Sequence, residues 1–297
     1  MLKVLATPAD FLRFQKRLFP WIAGIFSCLL VAGLWYGLVN SPPDYQQGES
    51  VRIMYVHVPA SWMALGVYTL MACCAVIGFV GKHLLAELAL KAAAPIGACF
   101  TLISLLTGAL WGKPMWGAWW VWDARLTSVL ILLFLYLGYM MLVESHDDPS
   151  RGLKFGSILV MMGALNLPVI KWSVSWWTTL HQPASFLRVG GSAVHESMML
   201  PLFLMTGAYA TFFLLVLLWR LEIEILKRKI ITHQHKMRQD IQEKKQVETT
   251  LRSFLKKKLY KTLLFSYRWA QIEDLVWRLV WGELVPPLGT FEVVTHR

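Results

Sequence analysis

The sequence predicts an all-α integral membrane protein. It would have six transmembrane helices, both termini on the inner side, an external Trp-rich segment and a long basic inner tail. Three observations carry that prediction. Hydrophobic residues are 56% of the 297-residue chain and charged residues only 16%, against about 45–50% and about 25% in soluble domains. Six apolar stretches carry no Asp, Glu, Lys or Arg. Lys and Arg, in turn, gather in alternate connections between those stretches. The balance excludes a disordered chain, a collagen and a disulfide-stapled secreted scaffold.

The first stretch, residues 19–39, follows Arg13, Lys16 and Arg17. It is longer than a signal-peptide core and has no A-x-A exit, so it reads as an uncleaved first span. The second, third and fourth stretches are 53–80, 92–111 and 126–143. The fifth, 155–170, is short and is extended by aromatics beyond Lys171; the sixth is 197–219. Each approaches the about 20 apolar residues that cross a bilayer as a helix. None alternates as a strand does, and backbone in lipid must hydrogen-bond within its own segment, so all six are expected to be helical.

Orientation follows from the basic residues. With the N-terminus inside, the inner segments hold Lys3, Arg13, Lys16, Arg17, Lys82, Lys91, Arg151, Lys154 and the basic tail. The outer connections 40–52, 112–125 and 171–196 hold only Arg52, Lys113, Arg125, Lys171 and Arg188. The chain divides on this reading into a membrane domain, 1–222, and an inner tail, 223–297. Cys28, Cys73, Cys74 and Cys99 all lie in apolar runs without C-x-x-C spacing. They are expected to be small buried hydrophobes rather than a zinc or dithiol site.

The outer connections collect the unusual residues. Trp111, Trp116, Trp119, Trp120 and Trp122 flank or fill one, and Trp172, Trp176 and Trp177 fill another. In W-G-K-P-M-W-G-A-W-W-V-W-D-A-R, residues 111–125, Pro114 is suited to open a short helix. From there Trp116, Trp119, Trp120 and Asp123 fall at i, i+3, i+4 and i+7, one helical face with Trp122 beside it. An interfacial aromatic belt scatters one or two Trp per helix end. Four within seven residues, closed by a carboxylate, point instead to an aromatic-lined surface for a planar ligand.

Three of the eight histidines lie in the outer half: His57, His181 and His195. His57 stands at the outer end of the second span in Y-V-H-V-P-A. His181 follows Trp177 by four residues and would share its face if that stretch were helical. An ionisable group near membrane depth is a functional candidate, although any one histidine can equally be a hydrogen-bonded interface residue. Histidines on the same side as a Trp surface suit a flat iron macrocycle, which needs aromatic walls, axial imidazoles and cations for its propionates. Arg52 and Arg125 are the cations on that side, by the fit of guanidinium to carboxylate, with outer-leaflet phosphate the competing partner. His195, among small polar neighbours, is the rival to the other two as an axial ligand.

The stretch W-G-K-P-M-W-G-A-W-W-V-W-D-A-R-L-T-S resembles the WWD signature of haem-handling proteins in cytochrome c maturation. Y-Q-Q-G-E-S-V-R-I-M-Y-V-H-V-P-A, A-A-P-I-G-A-C-F-T and S-W-W-T-T-L-H-Q are similar, in the same order, to further landmarks of the CcmC (haem exporter protein C) family. The resemblance covers roughly residues 15–220. It implies six membrane helices and a transiently held haem b at the outer surface. It implies His57 and His181, not His195, as the iron ligands, together with the WWD segment that holds Trp116, Trp119, Trp120, Trp122 and Asp123; Arg52 and Arg125 stay the candidate propionate cations by charge and side. It also implies delivery of haem to the chaperone CcmE, partnership with the ABC subunits CcmA and CcmB and the small protein CcmD, and no enzymatic step beyond promoting attachment of haem to the chaperone. The membrane would be the bacterial inner membrane with the haem site facing the periplasm, or the mitochondrial inner membrane.

Nothing in the resemblance explains the tail. Residues 227–261 alternate charged and polar residues as a solvated helix does, with Lys256, Lys257, Lys258 and Lys261 the densest cluster. Residues 262–282 mix Phe265, Trp269, Trp277 and Trp281 with Arg268 and Arg278, as an interfacial helix on anionic lipid does. Pro286-Pro287 would end it. Tethering to a membrane disfavours nucleic acid as a partner. Two other functions compete: a b-type electron carrier, which ordinarily places its histidines within the bilayer, and a transporter, which needs a polar midplane site that these spans lack.

Overall fold

The computed structural model describes residues 8–146, 148–181 and 194–281. Lys3, Arg188, Pro286-Pro287 and His296 lie outside the described residues. The helices are α1 (Pro8–Leu34), α2 (Met54–Gly81), α3 (Leu84–Trp116), α4 (Ala124–Glu144), α5 (Pro149–Gly163), α6 (Asn166–Trp176) and α7 (Glu196–Trp281), with no strand among the described residues. Among the described residues, six segments are long and apolar enough to cross a membrane: Pro8–Asn40, Glu49–Gly81, Leu84–Trp116, Ala124–Glu144, Pro149–Trp176 and Glu196–Arg278. The chain is a multi-pass membrane protein, and the number of spans matches the sequence expectation.

Local chemistry sets the ends of these helices. The side chain of His83 caps α3 by accepting from the Ala86 N–H. Asp123 caps α4, its Oδ1 accepting from Leu126 N at 2.7 Å. Asp148 caps α5 with Pro149 in the first turn, the arrangement that leaves no orphan N–H there. Gly117, at φ 76°, ends α3 in the left-handed region that favours glycine. The fifth span is two helices with a break at Ala164–Leu165; Asn166 opens the second and donates from Nδ2 to the Ser128 carbonyl at 2.8 Å.

The chain forms two compact units, Met1–Arg228 and Lys229–Arg297. In the first, small residues let backbones approach, as membrane helices require. Ala92, Ala93, Ala94 and Gly97 of α3 are buried, and a Cβ on Gly97 would run into the Tyr136 ring. Tyr136 donates to the Ala64 carbonyl at 2.8 Å and packs edge-on against Tyr68 at 5.1 Å. At the opposite end from His57, Lys91 of α3 pairs with the buried Glu224 of α7 at 3.0 Å. There Gln15 of α1 donates to Glu222 at 3.0 Å. In the second unit, the described residues of α7 up to Arg278 are helical and exposed throughout.

Two expectations are corrected here. Only Cys74 is buried; Cys28, Cys73 and Cys99 are on the outer surface of the bundle. In a membrane protein that surface meets lipid, so an outward thiol costs little. No short helix opens at Pro114, which instead lies in the last turn of α3, and residues 117–123 are non-helical because Gly117 stops one helix and Asp123 starts the next. Trp116, Trp119, Trp120 and Asp123 therefore do not share a helical face.

Candidate functional site

A cavity of about 520 Å³ opens among α2, α3, α4 and α6, where α2 and α4 begin and α3 and α6 end. That size falls within the about 300–1,000 Å³ of small-molecule and cofactor sites. Its wall includes His57, Trp62, Trp116, Arg125, Trp172 and His181. The remaining lining is mainly aliphatic, from residues such as Leu65, Leu105 and Val129.

His57 comes from the first turns of α2. Its Nδ1 lies 3.0 Å from Thr107 Oγ1 on α3. Its ring meets the Trp111 indole edge-on, with centroids 5.7 Å apart. Below it, Ser61 Oγ donates to the His57 carbonyl at 2.8 Å and lies 2.6 Å from Ser104 Oγ, tying α2 to α3 under the histidine.

His181 comes from the other side. The stretch 177–181 is not helical, because α6 ends at Trp176, so His181 does not share a helical face with Trp177. It is placed instead by Asp123 and Trp116. The ring packs against Trp116 at 4.9 Å. Nδ1 lies 3.2 Å from Asp123 Oδ2, and the Asp123 side chain is only 6% exposed. A carboxylate oxygen accepts, so Nδ1 carries the proton and Nε2 keeps a free lone pair. Metal-binding histidines ordinarily show this arrangement. Burial holds the His181 imidazole below its ordinary protonation range; the hydrogen bond and charge of Asp123 pull the other way, and burial prevails. A neutral imidazole is the ligating form. Asp123 thus does two jobs, capping α4 with one oxygen and orienting His181 with the other.

The two arginines part company. Arg125 lines the cavity, and its buried Nε has no hydrogen-bond partner. An unmatched buried donor on a cation is costly, and an anionic group entering the cavity would relieve it. Arg52 is already engaged away from the cavity wall: it pairs with Glu49 and donates to the carbonyls of Gly37 and Leu38, closing the end of the first span. The tryptophans divide as well. Trp116 lines the cavity, whereas Trp119 and Trp122 are 56% and 76% exposed. Trp119 sits under the Lys113 ammonium at 5.9 Å, and Trp120 packs edge-on against Trp122 at 5.5 Å. His195 is exposed and bonds Ser197 Oγ at 2.8 Å; it does not line the cavity.

Sequence reasoning missed Trp62 and Lys171 as lining residues. Trp62 lies inside an apolar run, where lipid-facing and cavity-facing indoles look alike. Lys171 was legible only as a topological marker. Thr107, which holds His57, is 50 residues away from it along the chain and carries no sequence signal.

The chain matches the family model of heme exporter protein C over residues 1–236. It is 49% identical over 226 residues to "Heme exporter protein C" of Bradyrhizobium diazoefficiens, covering 76% of this chain and 86% of that one. The Escherichia coli K12 protein of the same name is 48% identical over 184 residues, 62% of this chain and 75% of its own. A Marchantia polymorpha "putative cytochrome c biosynthesis ccmC-like mitochondrial protein" is 46% identical over 211 residues, 71% of this chain and 88% of its own.

Proposed function

The chain belongs to the heme exporter protein C family, and from that premise we propose that it holds haem as cargo for c-type cytochrome biogenesis. One observation carries the reading. Two histidines from separate elements, each with Nδ1 engaged, line one cavity together with a Trp wall and an arginine whose buried Nε has no hydrogen-bond partner. His57 and His181 take the iron; Trp116, with Trp62 and Trp172, takes the faces and edges of the macrocycle. Arg125, aided by Lys171, takes a propionate. Arg52 contributes by fixing the end of the first span rather than by touching cargo. The exposed Trp119 and Trp122, with Trp120 behind them, extend the aromatic surface outward from the cavity, where a haem-accepting chaperone of the CcmE kind docks.

In this proposal the cavity end faces the periplasm, or the equivalent side of a mitochondrial inner membrane, and both termini face inward, as the distribution of Lys and Arg directs. The haem is b-type and held transiently. The chain acts in a complex with CcmA, CcmB and CcmD, and it binds and hands over rather than catalyses. In the second unit α7 runs on to Trp281, and its basic and aromatic residues suit anionic lipid on the inner side.

The test is absorption spectroscopy of the purified protein. Copurifying haem with a low-spin Soret spectrum, lost in His57→Ala and in His181→Ala but kept in His195→Ala, is the expected result. Loss of the band in H195A alone would overturn the assignment. Reversible redox cycling without transfer of haem to a chaperone would favour an electron carrier.

A further inference from the structure

Thr107 has no part in the haem contacts proposed above, yet its single hydroxyl proton decides what His57 can do. That proton is committed to its own helix. Oγ1 lies 2.6 Å from the Ile103 carbonyl and 3.3 Å from the Ser104 carbonyl, neither of which can donate. Toward His57, at 3.0 Å, Thr107 is therefore left to accept. The proton between them belongs to His57 Nδ1, and Nε2 carries the lone pair.

The same stretch of α3 also holds the ring in place. A Cβ on Gly108 would stand 3.1 Å from His57 Cε1, tighter than ordinary contact, so only glycine admits the imidazole there without displacement. One turn on, Trp111 closes the other side, itself fixed by donating from Nε1 to Gln47 Oε1 at 2.8 Å. Thr107, Gly108 and Trp111 thus form a seat that restricts both the tilt of the ring and its tautomer.

We propose that Thr107 is the positioning residue of the His57 ligand: it locks the Nδ1–H tautomer and so presents Nε2 to the iron. The inference rests on the reading that His57 binds haem. It also makes the two ligands unequal. His181 is backed by a carboxylate, whereas His57 is backed by neutral acceptors, the Thr107 hydroxyl at hydrogen-bond distance and the nearby Ser104 backbone, and an anionic partner raises the donor strength of an imidazole more. His57 is the weaker ligand of the pair, which suits a site that must release what it holds.

The experiment compares Thr107→Val, which keeps the shape and removes the acceptor, with Thr107→Ser, which keeps the hydroxyl. Haem is titrated into each full-length variant in detergent and the spin state is read by absorption and electron paramagnetic resonance. Without Thr107 as acceptor, the Nε2–H tautomer gains, since that N–H can bond to water in the cavity. T107V should bind haem about 10–100-fold more weakly, the ordinary effect of removing such a partner, and shift the bound haem toward high spin. T107S should match the wild type in both readouts. Wild-type affinity and spin state in T107V, in a protein where H57A loses the low-spin signal, would overturn the role of Thr107 alone. Equal loss in T107V and T107S would also overturn it, because packing rather than the acceptor would then be responsible. An unchanged spectrum in H57A would sink the ligand assignment itself, a distinguishable failure. Should T107V not accumulate in the membrane, Thr107→Ala is read by the same criteria.

Discussion

Asp123→Asn separates the two jobs of one side chain. Oδ1 accepts from Leu126 N at 2.7 Å and caps α4, while Oδ2 faces His181 Nδ1 at 3.2 Å. Asparagine is as good a cap as aspartate, to within a few tenths of a kcal/mol, so the amide oxygen keeps the first bond. The amide NH2 then faces His181, setting donor against donor. The least costly remedy is a tautomer change that leaves Nδ1 to accept and moves the proton to Nε2, the atom assigned to iron. A hydrogen bond to a charged group is worth about 1.5–3 kcal/mol, and about 1.4 kcal/mol is a factor of ten. Haem affinity should therefore fall about 10–100-fold, with no comparable loss of thermal stability. Asp123→Ala should lose the ligand effect and the cap together, adding about 1 kcal/mol of destabilisation. Haem titration followed at the Soret band, paired with thermal unfolding in detergent, measures both quantities. Wild-type affinity in D123N would refute the reasoning, and so would an affinity loss in D123N matched by a stability loss as large as that of D123A.

Four further predictions follow from the same geometry. Gly108→Ala should weaken haem binding by displacing the His57 ring, whose Cε1 would lie 3.1 Å from the new Cβ; a titration indistinguishable from wild type would show that the ring has room to spare. Arg125→Gln should weaken haem but leave the affinity for a porphyrin with esterified propionates unchanged, a contrast that isolates the charge. Trp116→Phe should be mild and Trp116→Ala clearly worse, since an aromatic pair is worth about 0.5–1.5 kcal/mol beyond burial; equal behaviour of the two would make Trp116 a mere interfacial residue. Truncation after Thr232 should leave the haem spectrum intact, because every described residue that lines the cavity precedes the tail, and protease should reach the tail only from the inner side of sealed membranes.

The spans were legible because hydropathy is a property of composition over about 20 residues, and lipid enforces helix wherever that composition occurs. Their ends were less so. The first helix begins at Pro8, ahead of Arg13, Lys16 and Arg17, which hydropathy had placed outside the span. Residue type and sidedness single out His57, His181, Trp116 and Arg125, and the structure brings these four to one cavity. The helical face drawn through Trp116, Trp119, Trp120 and Asp123 was wrong because periodicity assumes a regular backbone. Gly117 and Asp123, a helix stop and a helix start only six positions apart, are the local signal against it. Arg52 was matched to propionates by charge and side alone, and its carbonyl partners Gly37 and Leu38 become visible only when the end of the first span is built.

Why the chemistry gathers where periodicity fails has a physical reason. A regular helix in lipid satisfies its own backbone, and its side chains spread evenly around an axis. A ligand held from two sides needs groups converging on one point from different directions. Here His57 is delivered by a helix and seated by α3, while His181 arrives from a non-helical stretch and is caught by Asp123 at the very start of α4. Irregular backbone is tolerated in a membrane protein only where protein or water meets its polar groups, so a stretch such as 177–181 belongs at the end of a bundle. The carboxylate that terminates one irregular stretch by capping a helix is for that reason also within reach of a histidine on the other. In this fold the residue that ends the irregular connection and the residue that orients His181 are the same, and a substitution that spares the first role while destroying the second is the most direct probe of whether the cavity was built to hold iron.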